Sequence, residues 1–289
     1  MAKKLKKIVI CSMKADKNIR ELALQAIETL SNSSVDVYVN DELSKLSKIP
    51  KFKHIKESDY QMMDLMIVIG GDGSILGYSR EYGSLGVPIL GINLGKLGFL
   101  ADIPPENISN TLLEVVNGKY TIDKRAFLEV TINGEGVPHK AVNEVVIHSG
   151  LVARLMEYEL SIDKSFVYRQ KADGLIINTP TGSTAYSLSG GGPILHPSVN
   201  AITLLPMFPH SLSTSPLVVK DNSFLSVKII SKNKASINID GQVEWRIKMG
   251  DTIEVQKSKV FYTLIHPKDH NFFSACRTKL GWSIGIIDE

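Results

Sequence analysis

The stretch Leu65-Met66-Ile67-Val68-Ile69-Gly70-Gly71-Asp72-Gly73-Ser74-Ile75-Leu76 decides the fold of the N-terminal part of this chain. The apolar run 65–69 predicts a buried strand, and the apolar residues after the glycines lie at helical spacing. A strand, a glycine turn and a helix in this order are typical of an α/β domain with a parallel sheet. The turn is neither a Walker sequence, which needs Gly-Lys-Ser/Thr, nor the dinucleotide fingerprint.

The glycine turn has the features of an anion site. Glycines let the backbone approach a ligand closely, and the start of a helix directs unpaired N–H groups at an anion. Gly70, Gly71, Gly73 and Ser74 are therefore candidates to bind phosphate. Asp72 would repel phosphate unless a cation bridges the two or the carboxylate takes part in the chemistry. It can bind magnesium, accept a hydroxyl proton, or only cap the helix.

The first hundred residues alternate short strands with helices, and a further helix follows. We expect strands at 5–10, 35–39, 65–69 and 87–92, and helices at 16–30 and around 109–116. A second glycine cluster, 91–100, follows the last of these strands. Loops after neighbouring parallel strands line one crevice at the carboxyl edge of a sheet, so the two clusters can share a site. Ordinary loop glycines are the alternative.

From about Tyr120 to Ile265 the pattern changes to short strands rich in Val, Ile and Thr. Asn133-Gly134 and Asp240-Gly241 are typical of hairpin turns. The predicted fold class is therefore an α/β N-terminal domain with a parallel, Rossmann-like sheet, followed by a mostly antiparallel, sandwich-like β domain.

Two segments of the β part carry polar residues in unusual places. Asn143-Glu144 interrupts an apolar strand, where a partly buried carboxylate needs hydrogen-bond donors such as the hydroxyls of a ribose. An edge-strand glutamate that faces water is the alternative. Residues 171–193 are rich in Gly, Ser and Thr, but the embedded Tyr186 and Leu188 argue against a flexible linker. Tyr186 can stack on a base or fill the core.

Composition excludes several classes of protein. The 289 residues include 43% hydrophobic ones, yet no apolar run approaches the roughly 18 residues of a membrane helix. A dispersed net charge of +3 predicts neither a nucleic-acid nor a membrane partner, whereas small anions fit. The two cysteines, Cys11 and Cys276, have no metal-ligand spacing and fit a reducing compartment, so we expect a cytoplasmic protein.

Together these segments resemble the NAD kinase family, in order and over most of the chain: residues 70–74, 93–99, 143–144, 173–193 and 240–242. Gly-Gly-Asp-Gly alone is shared with diacylglycerol kinases, sphingosine kinases and distant phosphofructokinase relatives. The segment Thr179-Pro180-Thr181-Gly182-Ser183-Thr184-Ala185-Tyr186 singles out NAD kinases.

The resemblance implies the domains, the reaction and the site. Residues 1–119, with 272–289 returning, would form the α/β domain that binds ATP and its phosphates, and 120–271 the NAD-binding domain. The γ-phosphoryl group of ATP would pass to the 2′-hydroxyl of the adenosine ribose of NAD+, giving NADP+ and ADP. Asp72 would be catalytic, and Mg²⁺ or another divalent cation would be held through the ATP phosphates, with no protein metal ligand assigned.

The partner implied is a second copy of the chain, in a homodimer or homotetramer. The residues that match the NAD contacts of the family are Asp72, Gly73, Asn143, Glu144, Arg154, Lys171, Asp173, Thr184, Ala185, Tyr186, Ser187, Leu188, Ser189 and Gln242.

Three positions depart from the pattern of the family. Ser74 replaces a common threonine and keeps the hydroxyl, and Lys171 replaces a common arginine and loses its planar fork. Ser215 stands where arginine is expected, which leaves local ion pairing or assembly open. Two other functions fit parts of the sequence: a lipid kinase with the same turn, and a dinucleotide-binding sensor in which Asp72 only caps a helix.

Overall fold

The computed structural model describes residues 5–45, 52–95, 98–150, 155–211, 214–232 and 235–282. The chain divides into two compact units: unit 1, Met1–Lys124 with Tyr262–Glu289, and unit 2, Arg125–Phe261. Residues 120–124 and 262–271, which we assigned to the β-rich domain from the sequence, thus group with unit 1. Within the described ranges, no helix is long and apolar enough to cross a membrane.

The secondary structure changes from mixed to almost entirely β along the chain. The helices are α1 (Lys17–Ser31), α2 (Asp41–Ser44), α3 (Asp72–Tyr82), α4 (Ile108–Val116), α5 (Tyr186–Ser189) and α6 (Phe272–Leu280). The strands are β1 (Lys7–Cys11), β2 (Asp36–Val39), β3 (Lys53–His54), β4 (Leu65–Ile69), β5 (Ile89–Ile92), β6 (Tyr120–Ile132), β7 (Glu135–Ala141), β8 (Glu144–His148), β9 (Met156–Ile162), β10 (Ser165–Ala172), β11 (Gly174–Asn178), β12 (Ala201–Met207), β13 (Leu217–Lys220), β14 (Leu225–Ile229), β15 (Ala235–Ile239), β16 (Val243–Ile247) and β17 (Thr252–Pro267).

Unit 1 contains a parallel sheet in the order β5-β4-β1-β2-β3, with the last residues of β17 parallel to β5. The α/β prediction is confirmed. The chain runs from β1 towards β3 and then crosses back to β4, so the direction of the strand order reverses between β1 and β4. In such sheets ligands bind at the carboxyl ends of the strands beside this reversal. The glycine turn follows β4 directly.

The elements of unit 1 form where the sequence pattern predicts them, with small shifts at their ends. Helix α1 buries Ile19, Ala23 and Leu30 on one face, and the Asp16 side chain caps it by accepting the Ile19 N–H at 2.9 Å. Strand β5 begins at Ile89 rather than at 87, after Pro88, which has no N–H to donate to a sheet.

Unit 2 consists of antiparallel strands in two layers, as predicted. One layer has the order β13-β12-β11-β8-β15-β16, and the other includes β10-β9-β14 and the start of β17. Residues of both layers share one core, for example Val145 and Ile177 from the first and Tyr158 and Val227 from the second. Both predicted hairpins form. Asn133 and Asp240 adopt φ of 57° and 51°, each followed by a glycine with positive φ.

Candidate active site

The turn after β4 places Asp72 at the first residue of α3, with Gly71 as the N-cap. A Cβ atom on Gly70 would lie 2.3 Å from Ser74 Oγ, so only glycine fits where the first helical turn folds back on the strand. The Gly70 N–H donates to the Ile92 carbonyl at 2.9 Å, which ties the turn to the end of β5. The Ser74 N–H donates to the Gly71 carbonyl at 2.9 Å, and the space beside the Gly71 Cα is open.

The Asp72 carboxylate points into the second glycine cluster and accepts backbone hydrogen bonds there. Oδ2 accepts the Phe99 N–H at 2.9 Å, and Oδ1 accepts the N–H groups of Leu100 and Ala101, each at 3.0 Å. A Cβ on Gly98 would lie 2.0 Å from Asp72 Oδ1, so this loop approaches the carboxylate as only glycine allows. The two glycine segments therefore form one structure, and the interpretation of Asp72 as a simple helix cap is wrong.

Lys279, near the end of α6, completes the surroundings of Asp72. Its Nζ donates to Asp72 Oδ2 at 3.1 Å and lies 4.9 Å from the centre of the Phe99 ring. Burial raises the pKa of Asp72, but the Ala101 and Phe99 N–H groups, the Lys279 charge and the Leu100 N–H together lower it below its ordinary value. The carboxylate is thus ionised at neutral pH. Its donors leave little room for a divalent cation, so the magnesium interpretation of Asp72 does not fit.

A buried polar cluster fixes the loop and the helix that surround Asp72. Asp102 Oδ2 lies 2.8 Å from both His266 Nδ1 and His270 Nδ1, and the two imidazole rings stack with centres 4.1 Å apart. Asp102 follows the N–H donors of the loop, and His270 directly precedes the N-cap of α6. The rings are inclined by only 16°, so one metal ion cannot lie in the planes of both. We therefore interpret the cluster as an anchor.

In unit 2 the backbone of residues 142–144 is held from two sides. The Asp240 carboxylate accepts the N–H groups of Val142, Asn143 and Glu144 at 3.0, 2.8 and 3.1 Å. Thr179 donates its hydroxyl to the Val142 carbonyl at 2.7 Å and its N–H to the Asn143 carbonyl at 2.9 Å. The hairpin turn and the Thr-Pro-Thr-Gly segment therefore both serve to position Asn143-Glu144.

The Glu144 side chain is buried, because β8 lies between β11 and β15 in the middle of its layer. The alternative of an edge-strand glutamate is wrong. Among the described residues, Glu144 Oε2, Asn143 Oδ1 and Asn178 Oδ1 have no hydrogen-bond partner. Burial and the nearby Asp240 charge raise the pKa of Glu144 to about 8. Buried oxygen atoms without a protein partner can accept hydrogen bonds from a ligand or from water.

A cavity of about 610 Å³ opens beside Glu144. Four of its lining residues come from the predicted segments: Glu144, Asp173, Tyr186 and Gly241. Tyr186 is 46% exposed, so the interpretation that it fills the core is wrong. The cavity has the size of a small-molecule site, with polar groups and an aromatic face.

The other predicted site residues that the structure describes are not among those that line this cavity. Ser187 is buried, Thr184, Ala185 and Leu188 are partly buried, and Ser189 and Gln242 are exposed. Lys171 and Ser215 line a different cavity, of about 720 Å³, so two of the departures from the family pattern lie together. Arg154 lies outside the described residues, as do 96–97 of the second glycine cluster and 283–289 of the returning segment.

Some lining residues were missed from the sequence. His148 and Val146 alternate with the core residues Val145 and Ile147 on β8, and so share a face with Glu144. Asn238 of β15 pairs with Val146 of β8 and therefore lies on the same face of the sheet. The alternation along β8 could have predicted His148, but Asn238 requires the register between strands.

Comparison with known proteins gives matches over both units. A family model described as the ATP-NAD kinase N-terminal domain matches residues 8–120, and one described as the ATP-NAD kinase C-terminal domain matches 142–267. An NAD kinase of Chromohalobacter salexigens is 43% identical over 272 residues, 92% of this chain and 93% of that protein. An NAD kinase of Teredinibacter turnerae is 48% identical over 228 residues, 77% and 78% of the two chains.

Solved structures show the same similarity. Yeast NADH kinase in complex with NADH superposes with a TM-score of 0.86 at 26% identity, over 99% of this chain and 90% of that one. An NAD kinase from Archaeoglobus fulgidus in complex with ATP gives a TM-score of 0.75 at 25% identity, over 94% and 99%.

Proposed function

This chain belongs to the NAD kinase family, and on that premise we propose that Asp72 accepts the proton of the attacking hydroxyl. The reaction transfers the γ-phosphoryl group of ATP to the 2′-hydroxyl of the adenosine ribose of NAD+, giving NADP+ and ADP. The observation that carries the proposal is an ionised carboxylate at the glycine turn after β4, oriented by three backbone N–H groups.

Transfer of the γ-phosphoryl group replaces one bond to phosphorus with another. The 2′-oxygen forms a bond to the γ-phosphorus while the bond from that phosphorus to the β–γ bridging oxygen breaks, and its electron pair leaves with ADP. The hydroxyl proton passes to an oxygen of Asp72 and later to water. A low pKa makes Asp72 a weak base, so its main contribution is to orient the hydroxyl until its proton becomes acidic late in the transfer.

For ATP we propose that the phosphates bind over the turn formed by Gly70, Gly71, Gly73 and Ser74, in the open space beside Gly71. The backbone donors and Lys279 that surround the Asp72 charge reduce its repulsion of the phosphates. The divalent cation would arrive with ATP, held by the phosphates, and would neutralise part of their charge. A cavity of about 490 Å³ at the carboxyl ends of β1 and β2 has room for the nucleoside, and its several carboxylates exclude phosphate from it.

For NAD we propose the cavity beside Glu144. Glu144, whose Oε2 has no partner among the described residues, lines this cavity and matches a hydroxyl donor of a ribose, and Tyr186 offers an exposed ring for stacking. Asn143, with its unpaired Oδ1, is the neighbour of Glu144 in sequence and joins the proposal on that ground. Asp173 lies on the same cavity wall. The remaining matched residues join this proposal on the resemblance to the family: Gly73, Arg154, Lys171, Thr184, Ala185, Ser187, Leu188, Ser189 and Gln242.

Assembly and location belong to the same proposal. We expect a homodimer or homotetramer in the cytoplasm, on the resemblance to the family and on two cysteines that are buried and unbridged. Sedimentation equilibrium tests the first, and fractionation of the native cell tests the second.

The experiment that tests the role of Asp72 is the Asp72→Asn variant. With ATP, magnesium and NAD, we expect NADP formation to fall by about 10²-fold or more while NAD still binds. Glu106→Gln, an exposed acid in the same unit, is the control and should behave like the wild type. Near-wild-type turnover in Asp72→Asn would remove the catalytic role. A wild-type protein that binds NAD without consuming ATP would favour the sensor.

A further inference from the structure

The hydrogen bonds of Asp72 leave almost no acceptor capacity for a substrate. A carboxylate offers about four lone-pair sites. In this structure Phe99, Leu100 and Ala101 donate to Asp72 through the backbone, and Lys279 donates to Oδ2. A hydroxyl that approaches Asp72 must therefore displace one of these donors.

The backbone donors are the ones least able to move. Gly98 N–H and Asn93 Nδ2 both donate to the Ala101 carbonyl, at 2.9 and 3.1 Å, which closes the loop on itself. The next residue, Asp102, is fixed by His266 and His270 at 2.8 Å. Displacing a backbone N–H would break these contacts as well.

Lys279 is the donor that can leave. Its side chain is a flexible four-carbon chain that is 29% exposed, and it contacts Asp72 through a single hydrogen bond at 3.1 Å. Its Cα is fixed by α6, which buries Ala275 and Cys276, so the ammonium can swing away while the helix stays in place. An ammonium that withdraws by a few ångströms still compensates the charge of Asp72 and of bound phosphate.

We propose that Lys279 is the positioning residue of Asp72: it holds the acceptor site of the carboxylate before substrate binds and yields it to the attacking hydroxyl. The inference rests on the proposed catalytic role of Asp72. It assigns to α6, 207 residues away in sequence, a part in the reaction that the glycine turn alone does not suggest.

The test is a cycle of Asp72→Asn, Lys279→Met and the double variant, with the pH dependence of kcat. Lys279→Met should lower kcat roughly tenfold or more, because the ammonium that orients the ionised Asp72 carboxylate and compensates its charge is lost. Without the ammonium the pKa of Asp72 rises, so the acid limb of the kcat profile should move to higher pH, and Lys279→Arg should restore it in part. Adding Lys279→Met to Asp72→Asn should change kcat by less than about twofold.

The variants distinguish the role of Asp72 from that of Lys279. Near-wild-type kcat in Asp72→Asn removes the role of Asp72 itself. An impaired Asp72→Asn with a full further loss in the double variant shows that Lys279 acts independently, which overturns this inference. Arg277→Met, which removes the neighbouring cation from the last turn of α6, controls for helix stability. If Lys279→Met unfolds, Lys279→Gln and Lys279→Arg decide: an unchanged acid limb in both overturns the inference.

Discussion

The raised pKa of Glu144 predicts a stability that depends on pH through one side chain. In the folded chain its pKa lies at about 8, against an ordinary value of 4.5. The folded state therefore holds a proton that the unfolded state releases. The stabilisation from this proton is complete below pH 4.5 and is lost as the pH rises through about 8. Glu144→Gln does not titrate, so its stability should lack this dependence.

The magnitude follows from the two pKa values. Between them, the free energy of unfolding of the wild type should fall relative to Glu144→Gln by about 1.4 kcal/mol per pH unit. Over the whole range the relative loss is roughly 3–5 kcal/mol, since the side chain is 5% exposed and solvent screens it little. The variant should thus gain relative stability at pH 8 and above.

Urea unfolding from pH 5 to 9 measures this difference. Trp282→Phe in both proteins leaves Trp245 of unit 2 as the fluorescent reporter, because the chain has two tryptophans. Glu135→Gln, an exposed acid of unit 2, is the matched control and should follow the wild type. Parallel pH profiles of wild type and Glu144→Gln would refute the argument that burial and Asp240 raise this pKa.

The same proton should report NAD binding, if NAD occupies the cavity as proposed. Hydroxyl donors favour the ionised carboxylate, so NAD should release protons from Glu144 near pH 7. Titration calorimetry in two buffers of different ionisation enthalpy measures the release. Glu144→Gln should abolish it, and a release that persists in this variant would assign the proton to another group.

Two further substitutions test the supports of the site. Gly98→Ala would place a methyl 2.0 Å from Asp72 Oδ1, so we expect at least a tenfold loss of kcat and a lower Tm. Gly71→Ala is the control and should change Tm little, because the space around its Cβ is open. Equal losses of Tm in the two variants would contradict the close approach at Gly98. Asp240→Asn should lower the free energy of unfolding by about 1–3 kcal/mol and bring the pKa of Glu144 closer to its ordinary value; an unchanged Glu144 titration would show that burial alone acts.

The sequence predicted the fold where the apolar pattern is strong. Strand β4 has the predicted bounds because all of its residues are buried, and the run is therefore uninterrupted. Helix α3 begins directly after the glycines, as the pattern predicted, and the anion site at this turn stays a prediction. The hairpins at 133–134 and 240–241 could be predicted because their turns require positive φ, which Asn, Asp and Gly adopt more readily than other residues.

What the sequence could not provide are the contacts that decide what Asp72 does. The loop that donates to Asp72 is 27 to 29 residues away and Lys279 is 207 away, and neither distance leaves a local pattern. In the same way, Asp240 was interpreted as a turn residue. Its carboxylate in fact holds Asn143 and Glu144, 97 and 96 residues earlier.

Strand β17 has a consequence for how the chain is made. It starts in unit 2, ends beside β5 in unit 1, and leads into α6. A ribosome that has completed residues 1–124 has therefore not yet produced the strand that covers the edge of β5, the histidines that bind Asp102, or Lys279. Residues 1–124 therefore remain on the ribosome with one edge of β5 unpaired while all of unit 2 is translated. Chaperone dependence during synthesis should therefore be concentrated in that interval.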